Sequence, residues 1–215
     1  MRPVSRRIAG FELRLPEDWH EVPDGVGDVS GWARTTAAGL VEVAGAEGLV
    51  AVQTADATDV LAEQLADVAA AVQGTGIAAL RTAVLVRNPE RGVVDAMITL
   101  VAQQGLSVQE FTHQLAETVA AATEPEPVYA GQVTAAVDAG EVAGVHLVLG
   151  HGAQDDLGEG VAVLEERVVL GVFPPHTTDM VEVTAIARSV GSFDDMPQAM
   201  IDVLAGLSID SEPLS

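Results

Sequence analysis

The feature that most constrains this chain is its punctuation: short runs of alternating apolar and polar residues, each closed by a cluster of Gly, Pro or Asp. Alternation with a period of two places apolar side chains on one face of a strand, and tight turns between such runs fold them back antiparallel. Phe11, Leu13 and Leu15 alternate with Glu12 and Arg14 over Ile8–Leu15 before Pro16. Ile77–Val86 and Val93–Ala102 flank Asn88-Pro89-Glu90-Arg91-Gly92, which predicts a hairpin. Gln132–Val137 and Val142–Leu149 flank Asp138-Ala139-Gly140, and Val161–Phe173 and Met180–Arg188 are joined through Pro174 to Thr178. The stretch Gly150–Gly160, rich in Gly and Asp, is expected to be a mobile loop.

Between these runs the period changes to that of a helix. Val60, Leu61, Leu65, Val68, Ala69 and Val72 share a face over Asp59–Gln73, with Thr58 or Asp59 as the expected cap and Gly74 as the stop. Ser107 and Glu110 have capping-box spacing ahead of Val108, Phe111, Leu115 and Val119, so Ser107–Ala122 is expected to be helical. Met196, Met200, Val203, Leu204 and Leu207 line one face of Asp194–Leu207, with Ser192 or Asp194 to cap it and Pro197 in its first turn. Residues 28–44 carry helical spacing weakened by Gly31 and Gly39, and the whole of 25–55 reads either as a helix pair or as a looser insertion. Hairpins rather than β-α-β alternation predict an α+β fold, an antiparallel β-sheet with helices packed on its faces. A single domain over 1–209 is expected, the Glu124-Pro125-Glu126-Pro127 break lying inside it, with 210–215 as a C-terminal tail.

Composition narrows the chemistry. The apolar fraction of 48% favours a folded chain despite a net charge of −22, but only 3% is aromatic, so the core must be assembled from small side chains. The absence of Lys, the single Asn88 and the Ala/Val/Gly excess read as GC-rich coding, as in actinobacteria. Residues 1–91 hold eight Arg against thirteen acids, whereas 92–215 hold only Arg167 and Arg188 against nineteen. That field repels phosphate, which argues against nucleic acid and anionic membrane and leaves simple solubility, a basic protein partner or a multivalent cation. With no Cys there is no disulfide, thiolate metal site or cysteine nucleophile, and with no Lys no Schiff base. No apolar run reaches membrane-spanning length, so the expected location is cytoplasmic.

The candidate sites are few. His146 and His151, five apart on a strand, face opposite sides and suit a shared metal poorly; each is expected to be an interior or surface imidazole. Asp155, Asp156 and Glu159 lack the ligand order of a calcium loop and read as a solvated acidic loop. Adjacent Glu165 and Glu166 point to opposite faces of a strand and cannot serve as an acid/base pair with each other. Ser189-Val190-Gly191-Ser192 is a helix entry rather than a nucleophile elbow. Met196, Met200, Leu204 and Leu207, like Trp19 and Trp32, are expected in the core rather than at a docking stripe. No catalytic, cofactor-binding or metal residue is therefore assigned, and no cofactor.

The strand Phe11-Glu12-Leu13-Arg14-Leu15 running into Pro16-Glu17-Asp18-Trp19, the Asp138-Ala139-Gly140 turn, the strand through Val145-His146-Leu147-Val148, the long strand ending Val172-Phe173-Pro174 and the final amphipathic helix form a pattern. It resembles uncharacterised actinobacterial proteins with a PsbP-like α/β/α sandwich. That resemblance implies a central antiparallel sheet with helices on both faces and an accessory or binding role, and no activity. The expected function is thus a non-catalytic binding or accessory protein whose acidic surface docks a protein partner. The alternatives are an enzyme assembled from scattered residues such as His20, His113 or His176 with nearby carboxylates, and a small-ligand carrier.

Overall fold

The computed structural model describes residues 6–25, 27–46, 54–77, 79–122, 125–154 and 160–213. In chain order the elements are β1 (Arg6–Leu13), β2 (Trp19–Val22), α1 (Val29–Ala46), α2 (Thr54–Thr75), β3 (Arg81–Leu85), a 3-10 turn (Pro89–Arg91) and β4 (Ala96–Gln104). There follow α3 (Val108–Ala121), β5 (Glu126–Val137), β6 (Gly140–Gln154), β7 (Gly160–Phe173), β8 (Asp179–Ala187), α4 (Met196–Leu204) and β9 (Leu207–Pro213). The fold is α+β, with antiparallel strand pairs and helices packed on them, as the punctuation requires. Contacts group the chain into two compact units, Met1–Pro16 with Ile98–Ser215 and Glu17–Met97, a finer division than the single domain expected over 1–209.

In the Glu17–Met97 unit, β2 pairs antiparallel with β3, Trp19 opposite Leu85 and Val22 opposite Thr82. Helical spacing wins over residues 29–46 despite Gly31 and Gly39, because Ala33, Ala37 and Val41 fall one turn apart on a buried face. Asp28 assists at the start, its Oδ1 accepting the Gly31 N–H at 2.9 Å. That face packs with Leu61, Leu65, Val68 and Ala69 of α2 in a core of small side chains. The second helix begins at Thr54, so Thr58 and Asp59 lie inside it and are not its caps. Gln64 pins the β3–β4 connection: its Nε2 donates to Gly92 O at 2.7 Å and its Oε1 accepts from Val94 N at 3.1 Å. Gly92 itself has φ +66, and an added Cβ would fall 2.8 Å from the Ala57 carbonyl oxygen.

In the other unit the strands lie in the order β4-β8-β7-β6-β5, with β5 outermost. Val145, Leu147 and Leu149 of β6 turn one face of this sheet toward Leu115 and Val119 of α3. The capping box at its start forms as expected: Ser107 Oγ accepts from Glu110 N, and the Glu110 carboxylate accepts from Ser107 N at 2.9 Å. Met196, Met200, Val203 and Leu204 of α4 are buried, and this helix packs on β5 and β7. Its cap is Asp195, whose Oδ1 accepts from Gln198 N at 3.0 Å, rather than Ser192 or Asp194. Of the loop expected over 150–160, residues 150–154 and 160 are strand, Gln154 lying opposite Gly160, and 155–159 lie outside the described residues.

Of the tail expected at 210–215, residues 210–213 are strand instead, and 214–215 lie outside the described residues. Leu207, Ile209 and Ser211 continue a period-two pattern, and β1 supplies the partner strand, from Leu13 opposite Leu207 to Arg6 opposite Pro213. Arg7 Nε meets Glu212 Oε1 at 2.7 Å, and Arg6 Nε donates to Ser211 Oγ at 2.9 Å. Buried Asp179 fastens β1 from below, its Oδ2 accepting from Ile8 N at 2.8 Å. No described helix is long and apolar enough to cross a membrane.

Two outcomes follow from these anchors. Deleting residues 209–215 removes the partner of β1 and lowers unfolding free energy by at least about 2 kcal/mol, whereas a frayed tail would cost nothing; urea denaturation distinguishes them. Gln64→Leu leaves Gly92 O and Val94 N without their side-chain partner and costs about 1–3 kcal/mol in the same assay.

Candidate functional site

The antiparallel register of β6 and β7 sets Val148 opposite Glu166 and His146 opposite Val168. His146 and Glu166 are therefore diagonal neighbours on one face of the sheet, the face away from α3. The imidazole Nε2 and Glu166 Oε1 lie 2.8 Å apart. Glu166 is 6% exposed, and its second oxygen, Oε2, is buried with no hydrogen-bond partner among the described residues. Tyr129 of β5 closes over His146, the rings meeting edge to face at 5.4 Å between centroids and 68°. Gly131 lies opposite His146, and any Cβ there would overlap the Tyr129 ring, so only glycine lets the phenol lie down across the strand. Asp194, Asp195 and Met196 at the start of α4 complete a cleft of about 510 Å³.

The opposite face carries a second set. Glu165 accepts from Arg167 Nε at 2.9 Å, and its other oxygen lies 3.5 Å from His151 Nε2. Adjacent Glu165 and Glu166 thus serve different faces and different histidines, and His146 and His151 do not converge. Among the described residues no group of three or more His, Asp and Glu side chains converges closely enough to hold a metal ion.

Between α3 and strands β5 and β6 runs a groove of about 470 Å³, lined by Val108, Leu115, Val119, Ala130, Ala143 and Val145 among others. The groove and the cleft share the β5 residues Gly131 to Thr134, one on each face of the outermost strand.

The remaining candidates are dispersed. His20 lies on β2 opposite Val84, its pKa lowered from 6.5 by burial, with the Asp18 charge acting the other way. His113 is exposed on α3 beside Glu117, Nε2 to Oε1 3.4 Å. His176 sits in the β7–β8 connection with φ +64, its carbonyl accepting from Arg6 N at 3.1 Å. Met196, Met200, Leu204 and Leu207 are all buried, as is Trp19, while Trp32 packs at the edge of the small-residue core. Ser192 Oγ donates to Ser189 O at 2.9 Å in the loop before α4. Asp155, Asp156 and Glu159 lie outside the described residues. The His146–Glu166 pair escaped the sequence reading because each member was weighed against the wrong partner. The available signal was parity: even-numbered positions on two strands of one hairpin share a face when the register sum is even.

An imidazole held by a buried carboxylate is the orienting half of a triad, and catalysis would need a nucleophile at the ring's other nitrogen. The phenol instead meets the ring through its edge, and Glu166, Asp194 and Asp195 line the cleft. Carboxylates so placed can accept a positively charged group. No protein-family model matches the chain, and no curated protein matches it.

The titration of His20 gives a separate outcome. A folded pKa below the unfolded one stabilises the fold where the ring is neutral, above about pH 6.5, and that contribution is lost as pH falls through the folded value. His20→Gln is expected to flatten this loss in urea midpoints measured from neutral pH downward.

Proposed function

We propose that this chain is a non-catalytic docking protein that holds an extended, basic segment of a protein partner along the outer edge of β5. The observation that carries the reading is that edge. Tyr129–Val137 presents nine residues with no charge and no proline, flanked on one face by an apolar groove and on the other by an acidic cleft. A free strand edge offers unpaired N–H and C=O groups to an incoming strand. Proteins usually blunt such edges with charge, proline or a bulge. Here Glu126, Pro127 and the bulge between Pro127 and Tyr129 guard only the first few residues. Tyr129 and Val128 are exposed beside that bulge.

Side chains of an added strand alternate between the two faces. Apolar residues would enter the groove beneath α3, and basic residues would meet Glu166, Asp194 and Asp195. The excess of acids over Arg in residues 92–215 favours such a partner and disfavours pairing with a second copy. The resemblance to PsbP-like sandwich proteins, accessory proteins for the most part, agrees with this role, and a cytoplasmic location and actinobacterial origin belong to the same proposal.

The test uses a fluorescent ten-residue peptide alternating Val and Arg, titrated into the full chain by anisotropy, beside a Val/Glu control. The Val/Arg peptide is expected to bind, and to weaken at least tenfold between about 0.05 and about 0.5 M salt. Thr134→Pro and Ala135→Pro separate edge pairing from surface charge. Successive N–H groups point to opposite sides of a strand, so one variant removes an outward donor and weakens binding with little change in melting temperature. Equal binding of the two peptides, or equal affinity for wild type and both proline variants, would overturn the proposal.

A further inference from the structure

We infer that the cleft between β5 and the start of α4 is a guanidinium-binding pocket, with Glu166 at its base and Tyr129 as its wall. The argument begins with Glu166. Its Oε1 is committed to His146 Nε2 at 2.8 Å, while its Oε2, on a side chain more than nine-tenths buried, has no partner among the described residues. A buried carboxylate oxygen left unmatched is costly, and a charged donor entering the cleft relieves that cost. Asp194 and Asp195 supply further negative charge at the opening. The N-terminus of α4 opposes a cation with roughly half a positive charge, which the three carboxylates outweigh.

Geometry selects the kind of cation. A metal ion needs its ligands drawn into one small shell, and the described residues form no such cluster. A guanidinium spreads its charge over a plane, carries five N–H donors in fixed directions, and lies against an aromatic ring. With one edge toward Glu166 at the base and another toward the aspartates, it would lie with its face against the Tyr129 ring, and a small shift of that ring would open Oε2 to it. A compact ammonium has fewer directions to satisfy and holds its water more strongly. The guanidinium can come from an arginine of a docked strand or from a free small molecule. Only the first source rests on the docking reading.

The test is an NMR titration of the isotopically labelled full chain with N-acetylarginine amide, and with N-acetylcitrulline amide as the uncharged isostere. The arginine derivative is expected to bind at least tenfold more tightly, shifting resonances of Tyr129, Gly131, His146, Asp195 and Met196. Glu166→Gln keeps an acceptor for His146 but removes the charge, and is expected to weaken binding at least tenfold. If that variant does not fold, the wild-type shift map decides. Shifts confined to other acidic surface, such as Asp138 and Glu141, or equal affinity for the citrulline isostere, would overturn the pocket. The probe is too short to pair along β5, so its failure beside a binding Val/Arg peptide would sink the pocket and leave edge docking standing. Binding of the probe without the peptide would do the reverse.

Discussion

The ladder between β6 and β7 is the constraint on which the larger unit depends. Its register, Glu141 opposite Phe173 through Gln154 opposite Gly160, decides at once which side chains face α3 and which face α4. Because side-chain direction alternates, a slip of one residue would exchange those two sets wholesale. Val145, Leu147 and Leu149 would leave the helix they pack on, and Glu166 would leave His146. Burial of the leucines and valines makes that slip expensive, at about 1.5–3 kcal/mol for each large side chain exposed. The polar cleft is thus held in place by the apolar face behind it.

A different economy governs the Glu17–Met97 unit. With so few aromatics, its core rests on Ala33, Ala37 and Ala69 lying close to Leu61 and Leu65. Small residues let helices approach, and many modest contacts replace a few large ones. Single polar side chains then fix what packing leaves loose: Gln64 at the Gly92 turn here, and Asp179 beneath β1 in the other unit. Each satisfies backbone groups that no ladder reaches.

The outermost strand is where the proposed docking function rests. Pro127 is compatible with an edge, where a missing N–H breaks no central ladder, and Gly131 leaves the space into which Tyr129 folds. The same short stretch therefore exposes backbone hydrogen-bonding groups and shapes recesses of opposite character on its two faces. A long uncharged edge is a hazard to a protein that uses it for nothing.

Local pattern made much of this legible. The alternating runs gave the strands, the Ser107–Glu110 spacing gave the capped helix, and the hairpin order gave the antiparallel α+β class, because period and turn chemistry act over a few residues. The charge distribution likewise motivates the basic partner proposed above. What the sequence left open depended on pairings distant along the chain. Residues 207–213 carry a strand pattern too short and acidic to stand alone, and become β9 only because β1 lies beside them. Glu165 and Glu166 look like twins until the sheet sends one to Arg167 and His151 and the other to His146. Parity could say which residues share a face. Only the register, set by hydrophobic burial across the whole hairpin, could say which of them touch.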